Sequence, residues 1–185
     1  LKLGEIDGIN VTLPFKNSII PYIDELSIEA KKTQSVNTIY RKDNKIIGHN
    51  TDIAGFELGL RYFKYNVSDK KVFILGAGGV VPSIILALKK MGVSKITLSN
   101  RTEKKAKDLK KIHTDLEIIV WGQNTDFDMI INATSLGLKS VDQIKLDFSK
   151  TGSNKLFYDV IYNPTRTNFL LKGKELGNKV ENGKM

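Results

Sequence analysis

The amino-acid sequence predicts an α/β fold in which a smaller α/β lobe is followed by a doubly wound parallel sheet. The first observation is that short apolar segments alternate with amphipathic helical segments from residue 71 onward, as strands and helices alternate in parallel sheets. The second is that the apolar segment 71–75 runs directly into Gly76-Ala-Gly-Gly79 and then into a helical pattern. A length of 185 residues is sufficient for two lobes.

Residues 1–66 are predicted to form the smaller lobe, which we expect to be incomplete at its N-terminal end because the sequence does not begin with methionine. Pro14 is a residue type that favours the first turn of a helix. The predicted elements are a strand over 8–13, a helix over about 15–26, a hairpin of strands 36–41 and 45–48 that turns at 42–44, and a helix over about 53–63.

Residues 67–185 are predicted to form the parallel sheet and to be incomplete at the C-terminal end. Gly92 and Gly177 each follow a helical pattern, as expected for a residue that ends a helix in the left-handed conformation. The predicted elements are strand 71–75, helix 80–91, strand 95–99, helix 102–112, strands 116–121, 128–132 and 155–161, and a helix over about 165–176.

Composition narrows the class of protein. The sequence contains no cysteine, which favours a reducing, cytoplasmic location, and it contains no apolar run near the ~20 residues that span a bilayer, so we expect no membrane partner. The formal charge is +9, but the lysines are scattered over helical faces such as Glu103–Lys111. We therefore expect a solvated basic surface and no nucleic-acid partner, and we expect no metal.

The glycine cluster predicts a dinucleotide site. Between a strand and a helix, Gly76 allows a tight turn, and Gly78 allows the backbone to approach a pyrophosphate at the helix N-terminus, with Ala77 and Gly79 completing the loop. The third glycine of the usual pattern is replaced by Val81. Alternatively, the cluster is only a tight turn, but its position in a strand–turn–helix unit favours nucleotide binding and a Rossmann-like sheet.

The tip of the next strand indicates which dinucleotide is bound. Units that bind NAD place an acidic residue there for the ribose 2′-hydroxyl, whereas this tip consists of Asn100, Arg101 and Thr102, with Lys105 one turn later. A basic tip with a hydroxyl group suits a 2′-phosphate. The sequence therefore predicts NADP as the cofactor.

The first lobe carries small polar residues and two groups that can move a proton. Asn10, Thr12 and Asn37 can recognise hydroxyl groups of a ligand, and Lys16 and Asp52 can share proton transfer. By residue type alone, a lysine such as Lys16 is far more often a surface residue than a catalyst, and an aspartate at the position of Asp52 is more often a residue that caps a helix.

Seven motifs occur in an order and at a spacing that resemble those of the shikimate dehydrogenase family. They are Asn10-Val-Thr-Leu-Pro-Phe-Lys16, Ser35-Val-Asn-Thr38, Asn50-Thr-Asp52, Gly76-Ala-Gly-Gly79, Asn100-Arg-Thr102, Asn132-Ala-Thr-Ser-Leu-Gly137 and Tyr158-Asp-Val-Ile-Tyr-Asn-Pro164. The resemblance extends over essentially the whole chain. Each motif is weak alone, and the ordered set is very specific.

The resemblance implies NADP-dependent, reversible reduction of 3-dehydroshikimate to shikimate in aromatic amino-acid biosynthesis, by a substrate lobe and a Rossmann lobe that flank a cleft. It implies that Lys16 and Asp52 are the catalytic pair and that the substrate is bound by a second set of residues. That set is Asn10, Thr12, Asn37 and Tyr162. We also expect cofactor contacts at Thr134, Val160 and Gly183, although Thr134 could instead cap a turn.

The chain departs from the family pattern in ways that affect these expectations. The family's Ser-x-Ser-Pro substrate motif and its C-terminal glutamine segment are absent, so we expect these 185 residues to retain more affinity for cofactor than for substrate. Ser35 stands where the family usually has alanine, and Lys105 stands where it usually has arginine. The lysine would offer the 2′-phosphate of the cofactor a point charge in place of the planar set of donors of an arginine.

Two alternatives remain: a quinate/shikimate dehydrogenase that uses NAD, and a non-catalytic nucleotide-binding protein on the same fold. We expect a monomer or a homodimer.

Overall fold

Two β-sheets lie in sequence order along the chain in a computed structural model, which describes residues 1, 5–12 and 14–184. The first sheet has four strands in the order β1-β3-β4-β2. They are β1 (Gly8–Asn10), β2 (Glu25–Leu26), β3 (Thr38–Lys42) and β4 (Lys45–His49). Strand β3 is antiparallel to β1 and β4, and β2 is parallel to β4.

The hairpin between β3 and β4 confirms the turn predicted from the sequence. Asp43 and Asn44 have φ angles of 47° and 66°, the left-handed conformation that a two-residue hairpin turn requires at both positions. The strand predicted over 8–13 is shorter, because β1 ends at Asn10, and Leu13 lies outside the described residues.

The helix predicted over about 15–26 is wrong. Residues 14–19 form turns, Ile20–Tyr22 form a short 3₁₀ helix, and Glu25–Leu26 form strand β2. Pro21 explains the difference, because proline lacks the N–H that continues an α-helix and disfavours helical geometry at the preceding residue. Pairing of β2 with β4 then supplies the backbone hydrogen bonds of this segment.

Two short elements of the first part were not predicted. One is strand β2, and the other is helix α1 (Ile28–Thr33), whose N-cap is Ser27. The Ser27 side chain accepts a hydrogen bond from the Ala30 amide at 3.1 Å. This serine is the local signal in the sequence that could have indicated the helix.

The second sheet confirms the predicted doubly wound parallel sheet. Its six strands have the order β10-β9-β8-β5-β6-β7, and all adjacent pairs are parallel. They are β5 (Lys71–Leu75), β6 (Lys95–Ser99), β7 (Glu117–Ile119), β8 (Met129–Asn132), β9 (Leu156–Asp159) and β10 (Lys179–Asn182). The chain runs outward from β5 in one direction and then returns to β8 on its other side. The strand order therefore reverses between β5 and β8, where ligands of such sheets bind.

Helices cover both faces of this sheet. They are α2 (Asp52–Tyr62), α3 (Val81–Lys90), α4 (Glu103–Ile112) and α5 (Asn168–Glu175). Alternate residues of each strand face opposite sides: Val72 and Ile74 pack with α2, α3 and α4, whereas Phe73 and Leu75 pack with the α5 side. Burial on both faces explains why residues 72–75 of β5 form a continuous apolar run.

The predicted glycine C-caps are confirmed, since Gly92 and Gly177 have φ angles of 80° and 76° after α3 and α5. Strand β10, which follows Gly177, was not predicted. Among the described residues, no helix has the length and apolar character that crossing a bilayer requires.

Candidate active site

The glycine turn lies at the carboxyl end of β5, beside the point where the strand order reverses. The Gly76 amide donates to the Ser99 carbonyl at 2.8 Å, and its φ angle is 108°. A Cβ atom on Gly76 would lie 2.7 Å from the Ala133 carbonyl oxygen, so only glycine fits there. At Gly78, by contrast, the only described atom within 4 Å of an added Cβ would be that same oxygen, at 3.8 Å. The backbone of Gly78 is therefore open to close approach by a ligand.

The start of α3 completes an anion site. Among the described residues, no side chain caps this helix at Val80, and a proline lies in its first turn. Helix N-termini present N–H groups and a partial positive charge. The open face of Gly78 and the uncapped helix therefore fit the pyrophosphate of a dinucleotide.

The tip of β6 is tied to the glycine turn by Asn100. Its side chain accepts a hydrogen bond from the Ala77 amide at 3.0 Å and donates one to the Thr102 carbonyl at 2.7 Å. The sequence predicted Asn100 as a cofactor contact, and the structure shows its amide group bonded to protein at both ends. Asn100 therefore holds the glycine turn and the tip of β6 together.

The cationic side chains at this tip are solvent-exposed. Arg101, Thr102 and Lys105 are all exposed, and the Thr102 hydroxyl makes no capping bond to α4. Within the described part of the chain, no carboxylate forms an ion pair with Arg101 or Lys105. Both cations are thus available to an anionic group such as a 2′-phosphate.

A partly buried ion pair lies in the first part of the chain. The Lys16 Nζ donates to Asp52 Oδ2 at 2.7 Å, and the two side chains are only 12% and 19% exposed. Lys16 lies in the turns that follow β1, and Asp52 is the first residue of α2. The Val36 amide donates to the Lys16 carbonyl at 2.8 Å and fixes the backbone that carries the lysine.

Asn37 holds the other oxygen of the same carboxylate. Its Nδ2 donates to Asp52 Oδ1 at 2.8 Å, and its Oδ1 accepts from the Thr51 amide at 3.0 Å. The structure therefore brings together Lys16, Asn37 and Asp52, which are distant in sequence. Because both carboxylate oxygens are engaged, the carboxylate is held in one orientation beside the ammonium group.

The other predicted substrate residues are Asn10, Thr12 and Tyr162. Asn10 is opposite Thr38 in the register of β1 and β3, and the Val11 amide donates to the Asn37 carbonyl at 2.8 Å. Asn10 and Thr12 are both exposed. Tyr162 lies in the loop after β9 and is 60% exposed.

A buried polar network supports the carboxyl ends of β8 and β9. The Asp159 carboxylate accepts from Asn132 Nδ2 at 3.1 Å, from the Ile161 amide at 3.0 Å and from the Thr167 hydroxyl at 2.6 Å. Burial raises the pKa of Asp159, and the hydrogen bonds from Thr167, Ile161 and Asn132 oppose that shift. The network fixes the base of the loop that carries Tyr162.

Thr134, Val160 and Gly183 lie at the same edge of the sheet. The Thr134 hydroxyl donates to Asn132 Oδ1 at 2.7 Å and accepts from the Leu136 amide at 3.0 Å, so it caps the turn after β8. The Gly183 amide donates to the Asp159 carbonyl at 2.9 Å, and a Cβ atom there would lie 3.0 Å from the Val160 carbonyl oxygen. Their contacts with a cofactor stay predictions.

Comparison with known proteins is consistent with this geometry. Residues 1–39 match the family model described as the shikimate dehydrogenase substrate binding domain, and residues 57–160 match the one described as shikimate / quinate 5-dehydrogenase. A Pelagibacter ubique protein named shikimate dehydrogenase (NADP(+)) is 60% identical over 185 residues, which are 100% of this chain and 70% of that relative.

The chain belongs to the shikimate dehydrogenase family.

Solved structures of similar proteins show the same fold. Shikimate dehydrogenase from Aquifex aeolicus superposes with a TM-score of 0.88 at 36% identity, covering 98% of this chain and 68% of that one. The 5-ketofructose reductase of Gluconobacter sp. strain CHM43 also superposes with a TM-score of 0.88, at 32% identity, covering 98% of this chain and 69% of that one. Because the fold accommodates both proteins, substrate has to be argued from the site residues of this family member.

Sequence reasoning missed two residues that support the site in this shikimate dehydrogenase family member. Asn50 was noted only as part of the Asn50-Thr-Asp52 motif, and Ser83 was not noted. Both are buried, and Asn50 accepts a hydrogen bond from the Asp52 amide at 3.0 Å. The signal in the sequence was an uncharged amide two residues before a carboxylate at a helix start, a pattern that also occurs in ordinary turns.

Proposed function

We propose that this protein catalyses the reversible, NADP-dependent reduction of 3-dehydroshikimate to shikimate, a step in aromatic amino-acid biosynthesis. The observation that carries the proposal is the Lys16–Asp52 pair at 2.7 Å, with Asn37 on the second carboxylate oxygen. The 60% identity to a relative named shikimate dehydrogenase (NADP(+)) supports it. We expect the reaction to occur in the cytoplasm, as the cysteine-free composition favours.

The catalytic role of the pair follows from the charge that develops during reduction. NADPH held by the residues around the glycine turn would supply the hydride that reduces the ring carbonyl carbon. The carbonyl oxygen then becomes negative, and the Lys16 ammonium group donates a hydrogen bond and a proton to it. Asp52 orients the ammonium group and can accept from a ring hydroxyl. In the reverse direction, the lysine takes the hydroxyl proton.

The remaining polar residues of the first lobe are proposed to bind the substrate. Asn37 is fixed by its bonds to Thr51 and Asp52, so it presents a rigid amide to a ring hydroxyl. Asn10 and Thr12 offer exposed polar groups on the neighbouring strand and turn, and Tyr162 offers a ring from the other lobe. The substrate would thus lie between the two lobes.

The residues around the glycine turn fit NADP. The backbone of Gly76–Gly79 and the start of α3 would hold the pyrophosphate, and Arg101, Thr102 and Lys105 would hold the 2′-phosphate. Asn100 would act on the cofactor through the shape of the turn it braces. Thr134, Val160 and Gly183 would border the nicotinamide side of the crevice, at the edge where doubly wound sheets bind their ligands.

We also propose the division of the chain into a substrate lobe, residues 1–66, and a cofactor lobe, residues 67–185. Helix α2 lies at the boundary. Its first residue, Asp52, faces Lys16, whereas Ile53, Phe56 and Leu60 are buried with the helices of the second sheet. One helix therefore connects the catalytic pair to the core of the cofactor lobe.

Turnover by the complete polypeptide tests the proposed function. Initial rates of NAD(P)H formation should be measured over a range of shikimate or quinate concentrations, each with saturating NADP⁺ and with saturating NAD⁺. We expect the highest kcat/KM for shikimate with NADP⁺. Faster turnover of quinate with NAD⁺ would favour the quinate/shikimate dehydrogenase alternative. Cofactor binding without turnover of any pair would favour the non-catalytic alternative.

A further inference from the structure

The Asn50 side chain is a buried junction between three segments of the chain. It is 1% exposed and lies between β4 and α2. Its Nδ2 is 3.1 Å from the Thr33 hydroxyl and 3.0 Å from the Ser35 carbonyl, both at the end of α1. Its Oδ1 accepts from the Asp52 amide at 3.0 Å, and the Ser83 hydroxyl of α3 lies within hydrogen-bond distance of both ends of the amide.

One assignment of hydrogens satisfies every hydrogen-bonding group of this amide. Its two hydrogens are donated to Thr33 and Ser35, and its oxygen accepts from the Asp52 amide and from the Ser83 hydroxyl, the last at 3.3 Å. The Thr33 hydroxyl is free to accept because it donates its own hydrogen to the Glu29 carbonyl at 2.8 Å. A fully satisfied buried amide is rigid, and losing one partner is costly.

The three segments belong to different parts of the site. Asp52 begins α2 and carries the carboxylate that pairs with Lys16. Ser83 is 0% exposed and lies in the first turn of α3, the helix whose start fits the pyrophosphate. The end of α1 belongs to the first lobe. Asn50 is therefore hydrogen-bonded to both lobes and to the helix start that holds the catalytic carboxylate.

We propose that Asn50 and Ser83 are positioning residues, which set the Lys16–Asp52 pair relative to the bound cofactor through the hydrogen bond between them. The proposal rests on the proposed function, because it assigns these residues to the same reaction. Neither residue needs to touch substrate or cofactor. A shift of Asp52 by ~1 Å would be enough to lower kcat ~100-fold, and the cofactor site, which Asp52 does not form, would keep its affinity.

The variant Ser83→Ala tests the link with little risk to folding. Alanine is the best helix former. In this variant the Asn50 side chain keeps its hydrogen bonds to Thr33, to Ser35 and from the Asp52 amide, and it loses only the one that its oxygen accepts from Ser83. In the complete polypeptide we expect kcat to fall about three- to tenfold, with KM for shikimate and the calorimetric Kd for NADP⁺ within about twofold of wild type. The melting temperature should change by less than about 2 °C. An unchanged kcat, or a fall in kcat matched by weaker NADP⁺ binding, would overturn the proposal.

The variants Asn50→Ala and Asn50→Ala/Ser83→Ala make the test stricter. Asn50→Ala should lower kcat about 100-fold, and the double variant should lower it no further, because both changes break the same link. If the fall in kcat of the double variant equals the product of the falls in the two single variants, the two residues act independently and the shared link is contradicted. Thr97→Val is the matched control, since it removes a buried hydroxyl of the same lobe that bonds Glu117 instead. It should leave kcat unchanged.

Lys16→Ala separates this inference from the proposed function. If Lys16→Ala keeps near-normal turnover, the catalytic assignment fails and the positioning role fails with it. If Lys16→Ala abolishes turnover while Ser83→Ala and Asn50→Ala keep wild-type kcat, only the positioning role fails.

Discussion

The two sheets of this protein are stabilised in different ways. The second sheet is buried on both faces between two apolar clusters, one centred on α3 and one on Phe157. The first sheet has a small core of Ala30, Val36, Ile39 and Ile46, and all three residues of β1 are exposed. Since apolar burial is the main source of stability, we expect the second sheet to dominate the free energy of unfolding.

The Lys16–Asp52 pair, which we propose to be catalytic, nevertheless lies in the part of the molecule with the smaller apolar core. Its geometry depends on hydrogen bonds: Asn37 to the carboxylate, Asn50 to the backbone amide of the same residue, and Val36 to the backbone of Lys16. The comparison indicates that the second sheet supplies stability and a rigid base for the proposed cofactor site, whereas polar contacts fix the orientation of the Lys16–Asp52 pair. Substitutions should therefore separate stability from catalysis.

The largest expected effect is on catalysis. Lys16→Ala should lower kcat by about 10²–10⁴, the usual contribution of a positioned proton-transfer group. Steady-state kinetics measures it, and calorimetric NADP⁺ affinity and the urea midpoint of unfolding serve as controls. We expect both controls to be unchanged within about twofold in Kd and about 0.5 kcal/mol in stability. Near-normal turnover would remove Lys16 from the mechanism.

A substitution in the core of the second sheet should lower stability. Phe157 is fully buried and its ring lies 5.2–6.0 Å from those of Phe127, Phe148 and Phe169. Phe157→Ala should lower the free energy of unfolding by about 3–5 kcal/mol, through lost burial and the cavity that remains. Denaturant unfolding measures the loss. Phe15→Ala, at an exposed position of the first part, should cost less than about 0.5 kcal/mol. Equal costs would contradict the assignment of Phe157 to the stabilising core of the second sheet.

Cofactor choice should depend on the exposed tip of β6. Arg101→Ala removes a charge-assisted contact worth about 1.5–3 kcal/mol, so NADP binding should weaken roughly ten- to a hundredfold with NAD little changed. Isothermal titration with each cofactor measures the ratio. Lys107→Ala is the control, because Lys107 pairs with Glu103 on the outer face of α4. Equal losses for NADP and NAD would show that Arg101 does not contact the 2′-phosphate.

The smallest expected effect is on the pH dependence of stability. Burial and the nearby Lys89 ammonium group lower the pKa of His113 below its usual 6.5, although Asp115 opposes the shift. As pH falls through 6.5, the unfolded chain binds a proton that the folded protein resists, so the free energy of unfolding should decrease. Urea unfolding at several pH values measures the slope. His113→Gln should flatten it, and an identical slope in that variant would assign the effect to other groups.

The second sheet was the more predictable part of the fold. Strands β5 and β6 have the predicted bounds, and residues 72–75 of β5 appear as an uninterrupted apolar run because that strand is buried on both faces. Helix α3 lies between two local signals, Gly79 and Gly92. The prediction of a helix over about 15–26 was wrong because the local sequence pattern favours a helix, whereas the packed fold places Glu25–Leu26 beside β4. The C-terminal part of this segment is a strand only because β4 supplies a partner.

The candidate site divides in the same way. The glycine turn could be predicted because the positive φ angle at position 76 requires glycine. The roles of Lys16 and Asp52 were predicted by resemblance and not by their proximity, since 36 residues separate them. The Asn50–Ser83 link could not be predicted, because it depends on how α3 packs against the segment between β4 and α2.

Local patterns in the sequence therefore determined the α/β class, the parallel strands, the glycine turn and the basic tip at Arg101. Each of these depends on side-chain periodicity, allowed backbone angles or charge within a few residues. Tertiary structure decided that Lys16 contacts Asp52, that the Asn100 side chain bonds to the glycine turn and that Asn50 connects the end of α1 to α3. Such contacts form between segments far apart in the chain, and hydrogen bonds require distances near 3 Å that only the packed fold can set.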